Sequence, residues 1–293
     1  GDVCMLPSSF EYHRPTTIDE ALDLLASLGE DAKVLAGGQS LIPMMKLRFA
    51  APEHLVDINR VEGLDAIEEV GDELQIGALV RHNQLASSDL INSKYYMIAA
   101  AAPQIADPLV RNLGTIGGSL AHCDPSGDLG AVMLAANARV TLRSKDGERE
   151  MPVVDFLADT FQAAIEPNEL LTTIKVPIPT GNYGGTYLKL ERKIGDYATV
   201  AVATRLTMSN GTIGTAGIGL TSVGLTNIKA TAAEEALAGQ APSPELFAEA
   251  GRLAAAASSP VSDVRGSDAY KRHMVEVYVR RGLTRAAEMA GAA

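Results

Sequence analysis

A run rich in proline and glycine, at residues 177–185, divides the chain into two parts with different local patterns. Before this run, short apolar strand patterns alternate with helical patterns. After it, three strand patterns precede three helical patterns, at residues 187–192, 200–208, 213–221, 231–237, 244–257 and 268–289. Strands grouped before helices indicate an α+β domain with an antiparallel sheet. We therefore predict a domain boundary at the run.

The first helix has clear start and stop signals. Thr17 and Glu20 form a capping-box pattern, apolar residues follow at helical spacing, and Gly29 suits the position after the last turn. A short apolar strand is predicted next, at residues 33–36, followed by a glycine pair.

Charge and hydropathy exclude several classes of protein. The 293 residues contain 25 Lys and Arg against 36 Asp and Glu, so the net charge is −11. A chain this acidic is not expected to bind nucleic acid, because neutralising phosphates requires a cationic surface. No apolar run approaches the roughly 18 residues of a transmembrane helix, and no signal-peptide pattern is present. We therefore expect a cytoplasmic protein.

The few cysteines exclude an iron–sulfur cluster held by this chain alone. Such a cluster usually needs four thiolates, whereas only Cys4 and Cys123 are present. The five histidines show neither an HExxH pattern nor a zinc pattern with paired cysteines, so no metal ligands are predicted. The sequence leaves open whether residues 1–4, which precede Met5, belong to the natural chain.

Two segments of small residues, each after an apolar stretch, are the strongest indication of a ligand site. They consist of Ala36, Gly37, Gly38, Gln39 and Ser40, and of Thr115, Ile116, Gly117, Gly118 and Ser119. Paired glycines let a backbone approach a ligand closely, and successive amide N–H groups in a loop bind anions. We interpret both segments as loops that could hold a diphosphate. Ordinary tight turns would contain the same glycines, and this alternative stays open.

Standard nucleotide and hydrolase motifs are absent from the sequence. There is no G-x-G-x-x-G after the first strand, no P-loop and no G-x-S-x-G. Gly217 and Gly219 form a lone G-x-G inside a strand, which we interpret as a packing feature. The sequence therefore predicts neither a Rossmann nor a P-loop site.

Two single residues have both a functional and a structural interpretation. Asp128 follows a turn at the start of a helix, where a carboxylate stabilises the helix. The alternative is a functional role, in which Asp128 contacts a ribose hydroxyl directly or through water. Tyr197 follows Gly195 in a loop and could lie flat against an aromatic ligand. An exposed loop tyrosine is the alternative there.

Taken in order, these motifs resemble the flavin-binding medium subunits of the molybdenum hydroxylases, the xanthine dehydrogenase family. Within that family the chain is most similar to the aerobic carbon monoxide dehydrogenases. The motifs that show the resemblance are S-F-E-Y-H-R-P at 9–15, A-G-G-Q-S-L-I-P-M-M-K at 36–46, P-E-H-L-V-D-I at 52–58, A-D-P at 106–108, G-T-I-G-G-S at 114–119 and K-I-G-D-Y-A-T at 193–199.

The resemblance implies a two-subdomain FAD-binding fold of the vanillyl-alcohol-oxidase type, followed by the C-terminal α+β domain. The FAD-binding domain would cover residues 5–179, with two α/β subdomains at about 5–58 and 59–179, and the C-terminal domain residues 183–290. Residues 36–40 and 115–119 would hold the diphosphate of FAD, Asp128 would contact the nucleotide and Tyr197 would pack against the isoalloxazine. The chain would hold no metal and no catalytic residue of its own.

The resemblance also implies partners. A small subunit with [2Fe–2S] clusters would supply electrons, a large subunit would hold the molybdenum cofactor, and the complex would be a dimer of heterotrimers. Electrons would leave to a quinone or to oxygen, and peripheral membrane association of the complex stays open. Gln39, Ser119 and His122 depart from the residues frequent in carbon monoxide dehydrogenases, so an aldehyde, a purine or an N-heterocycle is an alternative substrate. A scaffold subunit without flavin is an alternative of another class.

Overall fold

The computed structural model describes residues 6–291, so Cys4 and the start at Met5 lie outside the described residues. Strands of the described part form three sheets, two of them in the half of the chain before residue 180. The fold is α+β, as predicted. No helix among residues 6–291 combines the length and the apolar character needed to cross a membrane.

The first sheet is parallel and has the strand order β1-β3-β2. Its elements are β1 (Glu11–His13), α1 (Ile18–Leu28), β2 (Ala32–Leu35), α2 (Leu41–Lys46) and β3 (His54–Asp57). Thr17 Oγ1 accepts a hydrogen bond from the Glu20 amide over 3.2 Å, so the predicted N-terminal cap of α1 is confirmed. Leu22 and Leu25 of α1 pack with Val56 in a small core.

The second sheet is antiparallel, with the order β4-β5-β8-β6-β7. Its strands are β4 (Ile67–Val70), β5 (Glu73–Gly77), β6 (Arg139–Ser144), β7 (Gly147–Pro152) and β8 (Leu170–Pro177). The helices of this region are α3 (His82–Ser87), α4 (Asp89–Lys94), α5 (Tyr96–Ala101), α6 (Pro108–Leu113), α7 (Ile116–His122), α8 (Asp128–Ala135) and α9 (Val153–Phe156). Met97, Ile98 and Phe156 from these helices meet Leu74 and Ile76 of β5 in the largest core.

The third sheet is antiparallel, with the order β12-β11-β10-β9. Its strands are β9 (Asn182–Leu190), β10 (Val200–Ser209), β11 (Thr212–Thr221) and β12 (Ile228–Lys229), and the helices α10 (Thr231–Leu237), α11 (Pro244–Ala257) and α12 (Asp268–Met289) follow. Phe247, Val275 and Val279 of the helices pack against Val202 of β10. Strands followed by helices, with an antiparallel sheet, confirm the predicted architecture of this part, while the limits of the domains stay a prediction.

Every residue of helix α8 is buried, and the helix packs against α5 and α7 of the first half and against β11 of the second. A Cβ atom added at Gly219 would overlap the carbonyl of Ala131, and one at Gly217 would overlap the carbonyl of Ala135. The two strand glycines therefore let β11 lie directly against the helix backbone. This confirms that the lone G-x-G serves packing.

The second glycine segment is not the loop that the sequence predicted. Thr115 is the N-cap of α7, and residues 116–119 form its first turn. A glycine pair lowers helix propensity, but close packing overrides it: a Cβ atom at Gly117 would lie only 2.7 Å from the carbonyl oxygen of Ala78. The prediction of a second loop is therefore wrong, and the glycines there serve close contact.

Candidate functional site

The first glycine segment, residues 36–40, connects β2 to α2 and leaves its amides free. No hydrogen bond formed within residues 6–291 uses the amide N–H of Gly37, Gly38, Gln39 or Ser40. Gly38 has φ +71°, a conformation that favours glycine. Ser40 is the N-cap of α2, but its side chain makes no capping bond. Successive free amides around a residue with positive φ are the arrangement of an anion-binding nest.

The second glycine segment has the opposite property. Four of its five amides already have partners inside the protein: those of Ile116, Gly117, Gly118 and Ser119 donate to Val80 O, Ala78 O, Thr115 Oγ1 and Thr115 O over 2.9 to 3.1 Å. The expectation that both segments offer main-chain donors is therefore wrong for residues 116–119. This segment contributes a closely packed wall instead of a second set of donors.

The two segments lie side by side, although about 75 residues separate them in the sequence. A Cβ atom added at Gly37 would lie 2.7 Å from the Cα of Gly114 and would also overlap the carbonyl of Leu113. A Cβ atom added at Gly118 would lie 3.8 Å from the Cβ of Ala36. The absence of side chains thus lets the backbone around Gly37 pack closely against residues 113–118.

A series of hydrogen-bonded polar side chains holds the first glycine segment in place. Tyr12 donates to Asp57 Oδ2 over 2.5 Å, and Asp57 Oδ1 accepts from the amide and the side chain of Asn59. Asn59 Nδ2 also donates to the carbonyl oxygen of Ala36 over 2.7 Å. Burial acts to raise the pKa of Asp57, but the bonds from Tyr12 and Asn59 outweigh it and hold that pKa below its usual value. Asp57 is therefore an acceptor that fixes Asn59 and, through it, the glycine segment.

Arg81 extends this series of hydrogen bonds to Leu113, which lies just before the second glycine segment. Its guanidinium donates to Asn59 Oδ1 over 2.6 Å and to the carbonyl oxygen of Leu113. The neighbouring His82 is buried against Gly114, and burial, reinforced by nearby arginines, lowers its pKa to about 4. The sequence analysis did not predict these contacts of Asn59 and Arg81. Polar residues directly after β3 could have indicated them, because loops at the carboxyl ends of parallel strands commonly form binding sites.

Asp128 lies at the first position of α8 and is buried. It accepts hydrogen bonds from the hydroxyl of Tyr187 and, over 3.1 Å, from Lys189 Nζ. Lys189 also donates to the carbonyl oxygen of Gln104 over 2.9 Å, and its side chain is only 1% exposed. Both carboxylate oxygens thus have partners from β9, and the ion pair ties α8 to the third sheet. A direct contact between Asp128 and a nucleotide stays a prediction.

Tyr197 lies at the end of the connection between β9 and β10, with 54% of its surface exposed. Partial burial and the carboxylate of Asp124 raise its pKa to about 12. The preceding Asp196 accepts from Arg265 over 2.8 Å, which fixes the connection to the C-terminal part. Asp124 begins the turn before α8, and a Cβ at Gly127 in that turn would lie 4.0 Å from the hydroxyl of Ser119. Tyr197 therefore shares neighbours with the second glycine segment.

Comparison with known proteins identifies this arrangement. Residues 8–179 match the sequence model of the FAD-binding domain in molybdopterin dehydrogenase, and residues 185–286 match that of the carbon monoxide dehydrogenase flavoprotein C-terminal domain. The chain belongs to this family of FAD-binding subunits. It is accordingly an oxidoreductase subunit with FAD as its cofactor.

Relatives of this family match along nearly the whole chain. The carbon monoxide dehydrogenase medium chain of Afipia carboxidovorans is 45% identical over 96% of this chain and 98% of the relative. The alpha subunit of the 6-hydroxypseudooxynicotine dehydrogenase complex of Paenarthrobacter nicotinovorans is 39% identical, over 96% of each. A solved structure of carbon monoxide dehydrogenase from Hydrogenophaga pseudoflava superposes with a TM-score of 0.94 at 44% identity, covering 97% of this chain and 99% of that one. The predicted family and fold are confirmed.

Proposed function

We propose that this chain receives electrons from the [2Fe–2S] clusters of a small partner subunit and passes them to an external acceptor, a quinone or oxygen. A bound flavin suits this role because it carries out both one-electron and two-electron chemistry. The protein's task is to bind the cofactor, orient it and shield it. The observation that supports this proposal is the row of free amides at residues 37–40, held against the second glycine segment.

The diphosphate of FAD fits this row for electrostatic reasons. N–H groups that have no partner among residues 6–291 give up only bonds to water when they bind a phosphate, and hydrogen bonds to a charged acceptor are the strong ones. The side chain of Gln39 and the hydroxyl of Ser40 add polar groups at the same place. Residues 115–119 would close the other side of the diphosphate by contact, with the Ser119 hydroxyl as their added donor.

Tyr197 and Asp128 are the other two residues that we propose to act on FAD, and each has its own structural support. Tyr197 is half exposed and lies near Asp124 of the turn next to Ser119, so its ring would cover one face of the isoalloxazine. Asp128 is enclosed by Tyr187 and Lys189, so we propose that it acts on the nucleotide by fixing the start of α8 beside Gly127.

We propose carbon monoxide as the ultimate electron donor, oxidised at the molybdenum cofactor of a large subunit in a dimer of heterotrimers. The 45% identity to a carbon monoxide dehydrogenase medium chain supports this choice. The 39% identity to a subunit of the 6-hydroxypseudooxynicotine dehydrogenase complex supports an N-heterocycle or a related compound as the second candidate.

Two measurements test these proposals separately. Flavin absorbance and FAD stoichiometry of the purified chain test cofactor binding, and a folded chain that takes up no FAD would favour a scaffold role. Reduction of a dye by the intact complex under carbon monoxide tests the substrate. Dye reduction with an N-heterocycle, an aldehyde or a purine, and none with carbon monoxide, would overturn the proposed substrate and leave the electron-transfer role intact.

A further inference from the structure

The parallel pairing of β1 and β3 brings together three metal-binding side chains away from the glycine segments. Glu11 and His13 are two residues apart on β1 and therefore lie on the same face of the sheet. His54 on β3 is paired in register with Glu11, which puts it on that face too. One donor atom from each of the three residues lies within 4.8 Å of the other two.

The distances between these atoms match a tetrahedral metal site. His13 Nε2 lies 3.1 Å from His54 Nδ1, and Glu11 Oε2 lies 3.5 Å from the same nitrogen. Zinc bonds to nitrogen and carboxylate oxygen are about 2.0–2.2 Å long, so two ligands at a tetrahedral angle lie about 3.4 Å apart. The side chain of Glu11 is 75% exposed and free to adjust, whereas that of His54 is 20% exposed.

Hydrogen bonding alone leaves this cluster incompletely satisfied. His54 Nδ1 faces two partners, His13 Nε2 and Glu11 Oε2, but a single ring nitrogen carries at most one proton. That proton serves at most one of the two contacts. A divalent cation between the three atoms would satisfy all of them together, since both imidazoles and the carboxylate would donate lone pairs to it.

We propose that Glu11, His13 and His54 form a binding site for a divalent transition metal of the zinc type. Two imidazole nitrogens and one carboxylate suit Zn²⁺ with water as the fourth ligand. They do not suit Mg²⁺ or Ca²⁺, which prefer six or more oxygen ligands. The inference does not rest on the proposed electron-transfer function.

Metal binding would hold β1 in place, an edge strand of three residues that pairs with β3 and with no other strand of residues 6–291. Between the two metal ligands of this strand lies Tyr12, whose side chain points to the opposite face and donates to Asp57. The metal would thus fix the strand that supports the Asp57–Asn59 contact below the first glycine segment.

Zinc titration of the full chain tests the proposal. The protein is freed of metal with a chelator, and Zn²⁺ is added in competition with a chromophoric chelator. We expect one tight site per chain. His13→Ala and His54→Ala should each weaken binding by at least about 100-fold, because loss of even an outer-shell partner costs 10–100-fold in metal affinity. Glu11→Gln should weaken it less, since this ligand is the most exposed.

Matched controls separate this site from adventitious zinc binding. His273→Ala removes an exposed histidine of α12, and Glu53→Gln removes an exposed carboxylate next to His54; both should leave the affinity unchanged. Zn²⁺ should raise the melting temperature of the wild type and of both controls but not of His54→Ala. His54→Gln, tested in parallel, guards against a folding defect of the alanine variant.

Cobalt reports the geometry directly. Co²⁺ bound at the site should give the visible absorption of a tetrahedral complex, and this absorption should be lost in His13→Ala. The proposal is overturned if the wild type binds Zn²⁺ no more tightly than His54→Ala, or if His273→Ala weakens binding as much as His54→Ala does.

Discussion

Replacing Gly37 by alanine should separate the two glycine segments and release FAD. The added Cβ would lie 2.7 Å from Gly114 Cα, whereas carbon atoms in contact lie about 3.5 Å apart. Gly37 must therefore move away from Gly114, which directly precedes the second segment, by at least roughly 0.8 Å. Overpacking of this kind costs about 1–3 kcal/mol of stability.

The effect on FAD affinity follows from the same displacement. A hydrogen bond from an amide to a phosphate oxygen is about 2.9 Å long, so a shift of roughly 0.8 Å puts the donor out of range. Each bond to a charged group contributes about 1.5–3 kcal/mol. Losing one or two of them costs about 3 kcal/mol, which is roughly a 150-fold increase in Kd.

Flavin fluorescence titration of the apoprotein measures the change in Kd, and urea unfolding measures stability. Gly63→Ala is the matched control: Gly63 has φ +82° and nothing within 4 Å of an added Cβ, so alanine there costs about 1–2 kcal/mol of backbone strain without touching the site. If Gly37→Ala binds FAD as tightly as Gly63→Ala does, the proximity of the two segments is irrelevant to FAD binding and the reasoning fails.

Three further predictions concern the surroundings of the site. Lys189→Met should lower the free energy of unfolding by about 3–5 kcal/mol in urea, because it leaves the buried Asp128 carboxylate without its cation. The pKa of His82 is about 4 when folded and 6.5 ordinarily, so stability should fall by roughly 3 kcal/mol as the pH drops from 7 through this range; His82→Gln should flatten that part of the profile. Tyr197→Ala should change stability by less than about 0.5 kcal/mol but alter the flavin potential and its reoxidation rate.

Each of these predictions has a definite contrary result. A stable Lys189→Met variant would mean that the ion pair with Asp128 is dispensable. An unchanged pH profile in His82→Gln would mean that other groups cause the acid loss of stability, since only the unfolded state takes up the histidine proton between pH 6.5 and 4. Unchanged flavin potential and reoxidation in Tyr197→Ala would argue against a contact with the ring.

The local signals of the sequence were sufficient for most of the C-terminal part. Helices α10, α11 and α12 have the bounds that periodicity predicted, and Ser243 and Ser267 cap the last two through their side chains. Capping and periodicity act within a few residues of the chain, so they can be read from one sequence.

The start of α7 shows where local signals fail. Gly117 and Gly118 predict a loop by propensity, but Thr115 caps a helix there and Gly117 fits against Ala78. Tertiary packing determines whether residues 116–119 form a loop or a helix. It also determines which backbone amides remain without a hydrogen-bond partner. From the sequence, both glycine segments were expected to donate. Among residues 6–291 the amides of residues 37–40 have no partner, whereas those of residues 116–119 are bonded.

Contacts across the first sheet could not be predicted from spacing. Tyr12 and Asp57, like His13 and His54, are more than 40 residues apart, and only the parallel pairing of β1 with β3 makes them neighbours. Local spacing predicted no metal ligands for this reason. The two glycine segments were grouped because their composition is alike, and the structure adds the physical cause of their proximity, the close approach of Gly37 to Gly114.

Residue-resolved hydrogen exchange of the full chain, with and without FAD, tests the central claim most directly. The amides of residues 37–40 have no partner among the described residues, so they should exchange quickly in the apoprotein and become protected when FAD binds. The amides of residues 116–119 are already bonded and should change far less. Unchanged exchange at residues 37–40 in the FAD-saturated protein would contradict the account.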